Sequence, residues 1–495
     1  MPIAVSEEHE HLGQVVHAWL GVRCPTNAGR AALGTDPAEL PLLWNQIAAE
    51  GWLGLHLPER FGGQGFGLSE LAVVLGEFAR ALVPGPLLST VLTSAILAAC
   101  GTDSLCRDLL PGLANGSRPA GVSFGRDRLE ITQEADHGQQ SVSGTLRSVL
   151  GAPGALVIFA PITDVGWCLL DLTDPSTKEG VHVRTLDPVD PTRSIGDVVV
   201  DNVHVPTDHI LGGVTDHLVN TTAAILAAVE SAGSARWCLD TASDYAKTRV
   251  QFGRPIGQFQ GVKHKLADMV VAAEQADAVA WDAARAFDHL AHTSAPQRYE
   301  LDLVASLAAF VSFRSLAGCA KSCVQILGGI GFTWEHDAHL YLKRSMSTCA
   351  LPGGPDAHAS RIAHLALSGT RRLLSADLPA RAVEIRNELT PVIAGLRGLE
   401  GEARTEYLVD NGWAFSHWPL PWGRSADPLE QIVLQEELAA AGFSLARSSG
   451  RRTPTRPVGG YAWPEAMPRR QNIRESHISL WTWQPRASTS DLSET

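Results

Sequence analysis

The chain has 495 residues, 45% hydrophobic and 19% charged, a composition that excludes a disordered or collagen-like protein. A formal net charge of −13 argues against the clustered basic surface that a nucleic-acid partner needs, so none is expected. At roughly 100–200 residues per domain, this length predicts three or four domains.

The opening stretch, MPIAVSEEHEHLGQ, has no basic segment followed by an apolar one. A secretory signal is therefore not expected, and the cytoplasm is the default location. The longest apolar stretch, around Thr222–Val229, falls short of the ~20 residues a bilayer span needs, so no membrane span is expected. The 8 cysteines are sparse and none forms a CxxC pair; Cys319 and Cys323 are expected to be reduced, and no metal site is expected.

From Glu7 to about Ala99, apolar residues recur at helical spacing, as in Leu40, Leu43, Ile47 and again in Leu71, Val74, Leu75, Phe78. Between these two sets, Pro58 and the glycines from Gly62 to Gly67 force a turn. From about Ala120 to Leu211 the texture changes to short runs such as ALVIFAP, GWCLLDL and DVVVDNVHVP, which predict an antiparallel β domain. From Val214 to about Ser375 long Ala-rich segments predict a four-helix bundle, interrupted at RPIGQFQG, at LDLVASL and at Gly328, Gly329 and Gly331.

The expected fold is thus mainly α with a β domain: an N-terminal helical domain (1–119), a middle β domain (120–213) and a C-terminal bundle (214–375). A further segment, 376–446, echoes the start of the chain. Gly51, Trp52, His56, Pro58 and Gly62 match Gly412, Trp413, His417, Pro419 and Gly423 at one constant offset, and a Glu- and Leu-containing amphipathic segment follows each set. This predicts a partial second copy of the N-terminal domain. Residues 447–495 are rich in Arg, Pro and Trp with no period; they predict an irregular tail or a remnant of a truncated second module.

Two segments, YAKTRVQFGRPIGQFQGVKHKLADM (Tyr245 to Met269) and QILGGIGFTWEHDAHLYLKR (Gln325 to Arg344), strongly resemble the acyl-CoA dehydrogenase family over about residues 1–370. The partial second copy resembles the actinobacterial two-module members linked with lipid and steroid side-chain degradation. The resemblance implies FAD as cofactor, an acyl-CoA as substrate, an electron-transfer flavoprotein as acceptor, and a homo- or hetero-oligomer with another such module. A dinucleotide needs a cation for its pyrophosphate, an aromatic contact for adenine and close backbone approach at glycine. Arg249, Phe252, Phe259, Gln260 and the run Gln325, Ile326, Leu327, Gly328 and Gly329 supply that chemistry, which in the family serves a neighbouring subunit's FAD.

The implied reaction removes an α-proton with a carboxylate while the β-hydride passes to flavin, giving a 2-enoyl-CoA. Counting from the motifs, the two positions where the family places that Glu carry Pro352 and Ala223, and a motif Arg falls at Ala224. Glu230, two turns beyond Ala223 on the same helix face, is the remaining candidate base; its alternative role is a helix-surface or interface ion pair. The family's flavin-ring segment is replaced by AGVSFGRDR at Ala120 to Arg128. Two functions stay open: an FAD-dependent acyl-CoA dehydrogenase using Glu230, or a non-catalytic, cofactor-completing partner of another module. A flavin oxidase or monooxygenase on the same fold is a third, weaker reading.

Overall fold

In the computed structural model the described residues are 5–24, 30, 34, 36–136, 139–290, 295–350, 353–372, 378 and 381–443. Pro352 and the tail 447–495 lie outside them. The chain forms two compact units, Met1–Asp377 and Leu378–Thr495.

The first unit opens with α1 (Glu7–Arg23), α2 (Leu42–Ala49), α3 (Leu68–Arg80), α4 (Leu87–Cys100) and α5 (Asp103–Ala114). Ser6 caps α1 by accepting from the His9 amide, which satisfies one of the helix's unpaired donors. The turn before α3 closes on itself so tightly that a Cβ at Gly63 would lie 2.0 Å from the Leu57 carbonyl oxygen, so glycine alone fits there. Gly67 at the N-cap of α3 has no side chain to offer. Asp288 takes over from a distant helix, accepting from the amides of Leu68 and Ser69 at 2.6 and 3.0 Å. The N-terminal domain is thereby tied to the bundle.

The middle domain contains β1 (Ala120–Val122), β2 (Glu130–Asp136), β3 (Gln139–Leu150), β4 (Val157–Ile162), β5 (Gly166–Asp171), a short helix α6 (Pro175–Glu179), β6 (Val181–Leu186), β7 (Ile195–Pro206) and β8 (Ile210–Leu211). Their order is β6-β7-β3-β1-β4-β5-β8, with β2 on β3. The expected all-antiparallel sheet is corrected at one place: β1 runs parallel to β4, pairing Ala120 with Val157. The reversal that would make them antiparallel is absent because β2 and β3 intervene between the two strands in the chain.

The bundle comprises α7 (Asp216–Thr248), α8 (Gln260–Leu290), α9 (Ala295–Leu327), α10 (Ala338–Ala350) and α11 (Pro355–Leu367). A small hairpin of β9 (Val250–Gln251) and β10 (Arg254–Pro255) separates α7 from α8. The expected interruption at LDLVASL is wrong, since those residues lie inside α9. Leu301, Leu303, Val304, Ala305 and Ala308 are all buried, so the helix lacks the polar face that makes a helical period visible. Asp302 inside that run is satisfied by Arg361 of α11.

Burial also explains why Gln297–Phe332 is long and apolar enough to cross a bilayer while 67% of its most apolar window is packed inside the protein. Cys319 and Cys323 are free and buried, and burial pushes the Cys319 thiol up to about 12, leaving it protonated and unreactive.

The second unit has α12 (Arg381–Arg397), α13 (Gly401–Asp410) and α14 (Pro428–Ala440) around Ile385, Leu389, Leu396, Val433, Leu434 and Leu438. Its turn repeats the backbone of the first unit. Gly51 and Gly412 have φ of 75° and 72°, Gly51 bonds Ala48 as Gly412 bonds Val409, and Leu57 bonds Gly54 as Trp418 bonds Phe415. The register then slips. Gly65 bonds Leu57 as Ser425 bonds Trp418, so the second turn is one residue shorter and Gly423 matches Gly63 rather than Gly62. A Cβ at Gly423 would sit 2.4 Å from the Trp418 carbonyl, the same steric demand as at Gly63. At the next N-cap, Asp427 replaces Gly67 and caps α14 by accepting from the Glu430 amide.

Candidate functional site

The two long motifs come to one end of the bundle because α8 and α9 are antiparallel neighbours, the first starting and the second finishing there. The Cys319 thiol bonding to the Met269 carbonyl fixes that alignment. Arg249 is the C-cap residue of α7 and is exposed. In the hairpin that follows, Phe252 is 93% exposed and adopts a left-handed φ of 53°. It meets Phe259 edge to face at 6.1 Å, and Arg254 lies 4.2 Å over the Phe259 ring. Gln260 opens α8 and is exposed.

At the other motif, Gln325, Gly328 and Gly329 are exposed, and a Cβ at either glycine would meet nothing within 4 Å. Ile326 and Leu327 differ: at 7% and 3% exposure their side chains belong to the bundle core. Only their backbone remains for a cofactor role. Helical spacing accounts for the split, since Ile326 and Leu327 follow Cys319 and Cys323 along the inward face. The structure adds Arg254, which sequence reading passed over because a lone Arg in a hairpin carries no pattern.

At the β-domain end, the AGVSFGRDR segment supplies β1. The Ser123 hydroxyl beyond it is fully buried and has no hydrogen-bond partner among the described residues, while its amide bonds to Phe159. A donor left without a partner inside the protein costs roughly 1–3 kcal/mol, so this hydroxyl stands ready for a polar group placed against β1. The chemistry of Arg249, the aromatic pair and the open glycines suits the adenosine end of a dinucleotide such as FAD, and the unpartnered Ser123 hydroxyl lies at β1.

The two usual base positions show no acid. Ala223 and Ala224 are each 1% exposed, and Ala224 packs with Ala227, Ala309 and Phe313. Glu230 lies about 10 Å further along α7. It is buried at 6% exposure and accepts from the Arg193 guanidinium, itself 5% exposed. Arg193 also donates to the Thr348 hydroxyl at 3.4 Å. Beside this pair, Asp190 accepts from Arg344, and the Thr192 hydroxyl bridges the two. Burial pushes Asp190 up, but Arg344 and then Arg193 outweigh it and hold the carboxyl below its ordinary range. Burial and the neighbouring Arg344 depress Arg193.

The resulting network of two acids and two arginines is closed to water and joins the β6–β7 loop to α7 and α10. Glu230 therefore sits in a buried ion pair rather than among apolar side chains alone. Sequence reading missed Asp190, Arg193 and Arg344, which lie far apart in the chain. Among the described residues, no group of three or more His, Cys, Asp or Glu side chains gathers as a metal site.

A helical domain, a mixed sheet and a helical bundle in this order define the acyl-CoA dehydrogenase class of fold. Family models agree: residues 6–117 match the acyl-CoA dehydrogenase N-terminal domain and residues 220–367 the acyl-CoA dehydrogenase C-terminal domain. Acyl-CoA dehydrogenase IpdE2 of Mycolicibacterium smegmatis is 32% identical over 362 residues, covering 72% of this chain and 98% of that protein. Acyl-CoA dehydrogenase FadE34 of Mycobacterium tuberculosis is 36% identical over 451 residues, covering 89% of this chain but 59% of that longer protein. Among solved structures, the ChsE4-ChsE5 complex from Mycobacterium tuberculosis matches with a TM-score of 0.66 and 26% identity, over 75% of this chain and 100% of that one. A Tcur3481-Tcur3483 steroid ACAD variant matches at 0.64 and 27%, over 73% and 98%. The chain belongs to the acyl-CoA dehydrogenase family.

Proposed function

We propose that this chain takes part in the FAD-dependent oxidation of an acyl-CoA thioester, of a fatty acid or a steroid side chain, to a 2-enoyl-CoA. The observation that carries this reading is the set of exposed residues Arg249, Phe252, Gln260, Gln325, Gly328 and Gly329 at one bundle end, with the half-buried Phe259 ring against Phe252. Bound FAD would accept the β-hydride. The chain's own residues do the rest: Arg249 neutralises pyrophosphate, the aromatic pair flanks adenine, and the open glycines admit the backbone to phosphate. Ser123 would offer its hydroxyl to the ring of an FAD held in this chain, and Glu230, paired with Arg193, takes the α-proton at a carboxylate oxygen.

The steroid side-chain class rests on the names of the ChsE and steroid ACAD neighbours, and those same hetero-complexes support a second acyl-CoA dehydrogenase chain as partner. An electron-transfer flavoprotein would reoxidise the flavin. A second reading is favoured by a specific observation, the engagement of Glu230 by Arg193, which costs the carboxylate its freedom as a base. In that reading the chain completes a partner's FAD site and carries out no proton transfer itself.

The visible spectrum of the purified protein separates the two. A yellow protein that bleaches when an acyl-CoA is added supports oxidation on this chain. A stable, colourless protein that binds FAD only on mixing with a partner chain supports the second reading, and failure to bind FAD either way removes both.

A further inference from the structure

The β6–β7 loop and the bundle meet through charges that neither domain could bury alone. Asp190 and Arg193 come from the loop, Glu230 from α7, and Arg344 with Thr348 from α10. Asp190 and Arg344 are 1% and 2% exposed, so the network has no access to water that would replace a lost partner. Within it, Asp190 accepts from the Thr192 amide at 3.1 Å and from the Ser347 hydroxyl at 3.4 Å, which fixes the loop against α10. Arg193 is then held by Thr348 on one side and presented to Glu230 on the other. One residue outside the network, Gly85 at the head of α4, donates its amide to the Thr192 carbonyl at 3.2 Å, so the same loop also fixes the N-terminal domain.

We propose that Arg193 is a positioning residue: it couples the placement of the Glu230 carboxylate to the docking of the β domain on the bundle, so that both are set or lost together. The part of this that concerns proton transfer rests on the reading of Glu230 as base; the coupling of loop and helix does not. Removing one member of such a pair leaves the other charge buried and uncompensated, whereas removing both exchanges the pair for apolar contact. That asymmetry supplies the test.

Hydrogen exchange of the full chain is compared for wild type, Arg193→Met, Glu230→Met, Arg193→Met with Glu230→Met, and Arg193→Lys. The expected result is exchange at least tenfold faster in Arg193→Met, both in the loop around Asp190 and in α7 around Glu230. The double variant should return to near wild-type protection, and Arg193→Lys should recover part of it by restoring the charge without the fork. Unchanged exchange in Arg193→Met overturns the proposal, as does a double variant as loose as the two single ones combined. If Arg193→Met does not fold, recovery in the double variant still reads the coupling. Flavin reduction by acyl-CoA, measured on the same set, tells the two readings apart: Glu230→Met reducing at the wild-type rate removes the base role while the exchange coupling stands.

Discussion

At Glu230, geometry changes what a substitution should do. A glutamate on the helix surface would tolerate replacement within about 0.5 kcal/mol. Here Glu230→Gln leaves the Arg193 charge buried, and the expected destabilisation is about 3–5 kcal/mol, read by denaturant unfolding. If Glu230 is also the base, reduction of bound flavin in stopped flow should fall by about 10²-fold or more. Loss of stability with an unchanged rate would leave it a counter-ion.

His56 supplies a second residue-scale expectation. Its ring meets the Ser94 hydroxyl at 3.1 Å, its Nδ1 is buried without a partner among the described residues, and burial lowers it from 6.5 to about 3. A folded-state value below the unfolded one means that the stability is fully present above pH 6.5 and is lost as pH falls towards 3. Each pH unit in that window costs about 1.4 kcal/mol. Unfolding measured from pH 7 to 4.5 should show this slope, and His56→Asn should flatten most of it; burial also lowers His336 and His339, so some slope remains. Asp190 acts in a separate window: it is depressed, so its stabilisation holds above the ordinary carboxylate value near 3.8 and is lost below.

Among the secondary elements, the hairpin between α7 and α8 is the part most clearly built for something other than the chain's own stability. Phe252 pays for a left-handed backbone and leaves its ring in solvent. Arg249→Ala should therefore weaken FAD binding about 10- to 150-fold, the loss of a charge-assisted contact of about 1.5–3 kcal/mol, with the thermal midpoint unmoved. Equal flavin release by wild type and variant on dilution would show that Arg249 does not hold the phosphates. The α14 cap makes a related point. Its counterpart α3 borrows Asp288 from the bundle, whereas α14 carries Asp427 and a capping box of its own, which lets its N-terminus form within its own unit.

At the scale of the whole molecule, the proposed cofactor arm is exposed at one bundle end, and the proposed role in a shared dinucleotide site requires a second chain. Light scattering at micromolar concentration is expected to show dimers or larger assemblies, alone or with a second acyl-CoA dehydrogenase chain; a monomer under both conditions would count against the arm's proposed role.

What the sequence by itself determined was the order of domains, the turn repeated at Gly51 and Gly412, and the two motifs that carry the family, because each rests on residues close in the chain: a helical period, a glycine forced by a near contact, an Arg followed by aromatics. Tertiary structure alone decided the rest. The continuity of α9 through LDLVASL was hidden because burial on all sides erases the period. The parallel pairing of β1 with β4 was hidden because strand partners are chosen across the sheet. Most of all, Glu230 looked like an isolated acid among alanines, and only the fold brought it to Arg193 and the Asp190–Arg344 pair, since a charge can be buried only where a partner from elsewhere in the chain arrives to meet it.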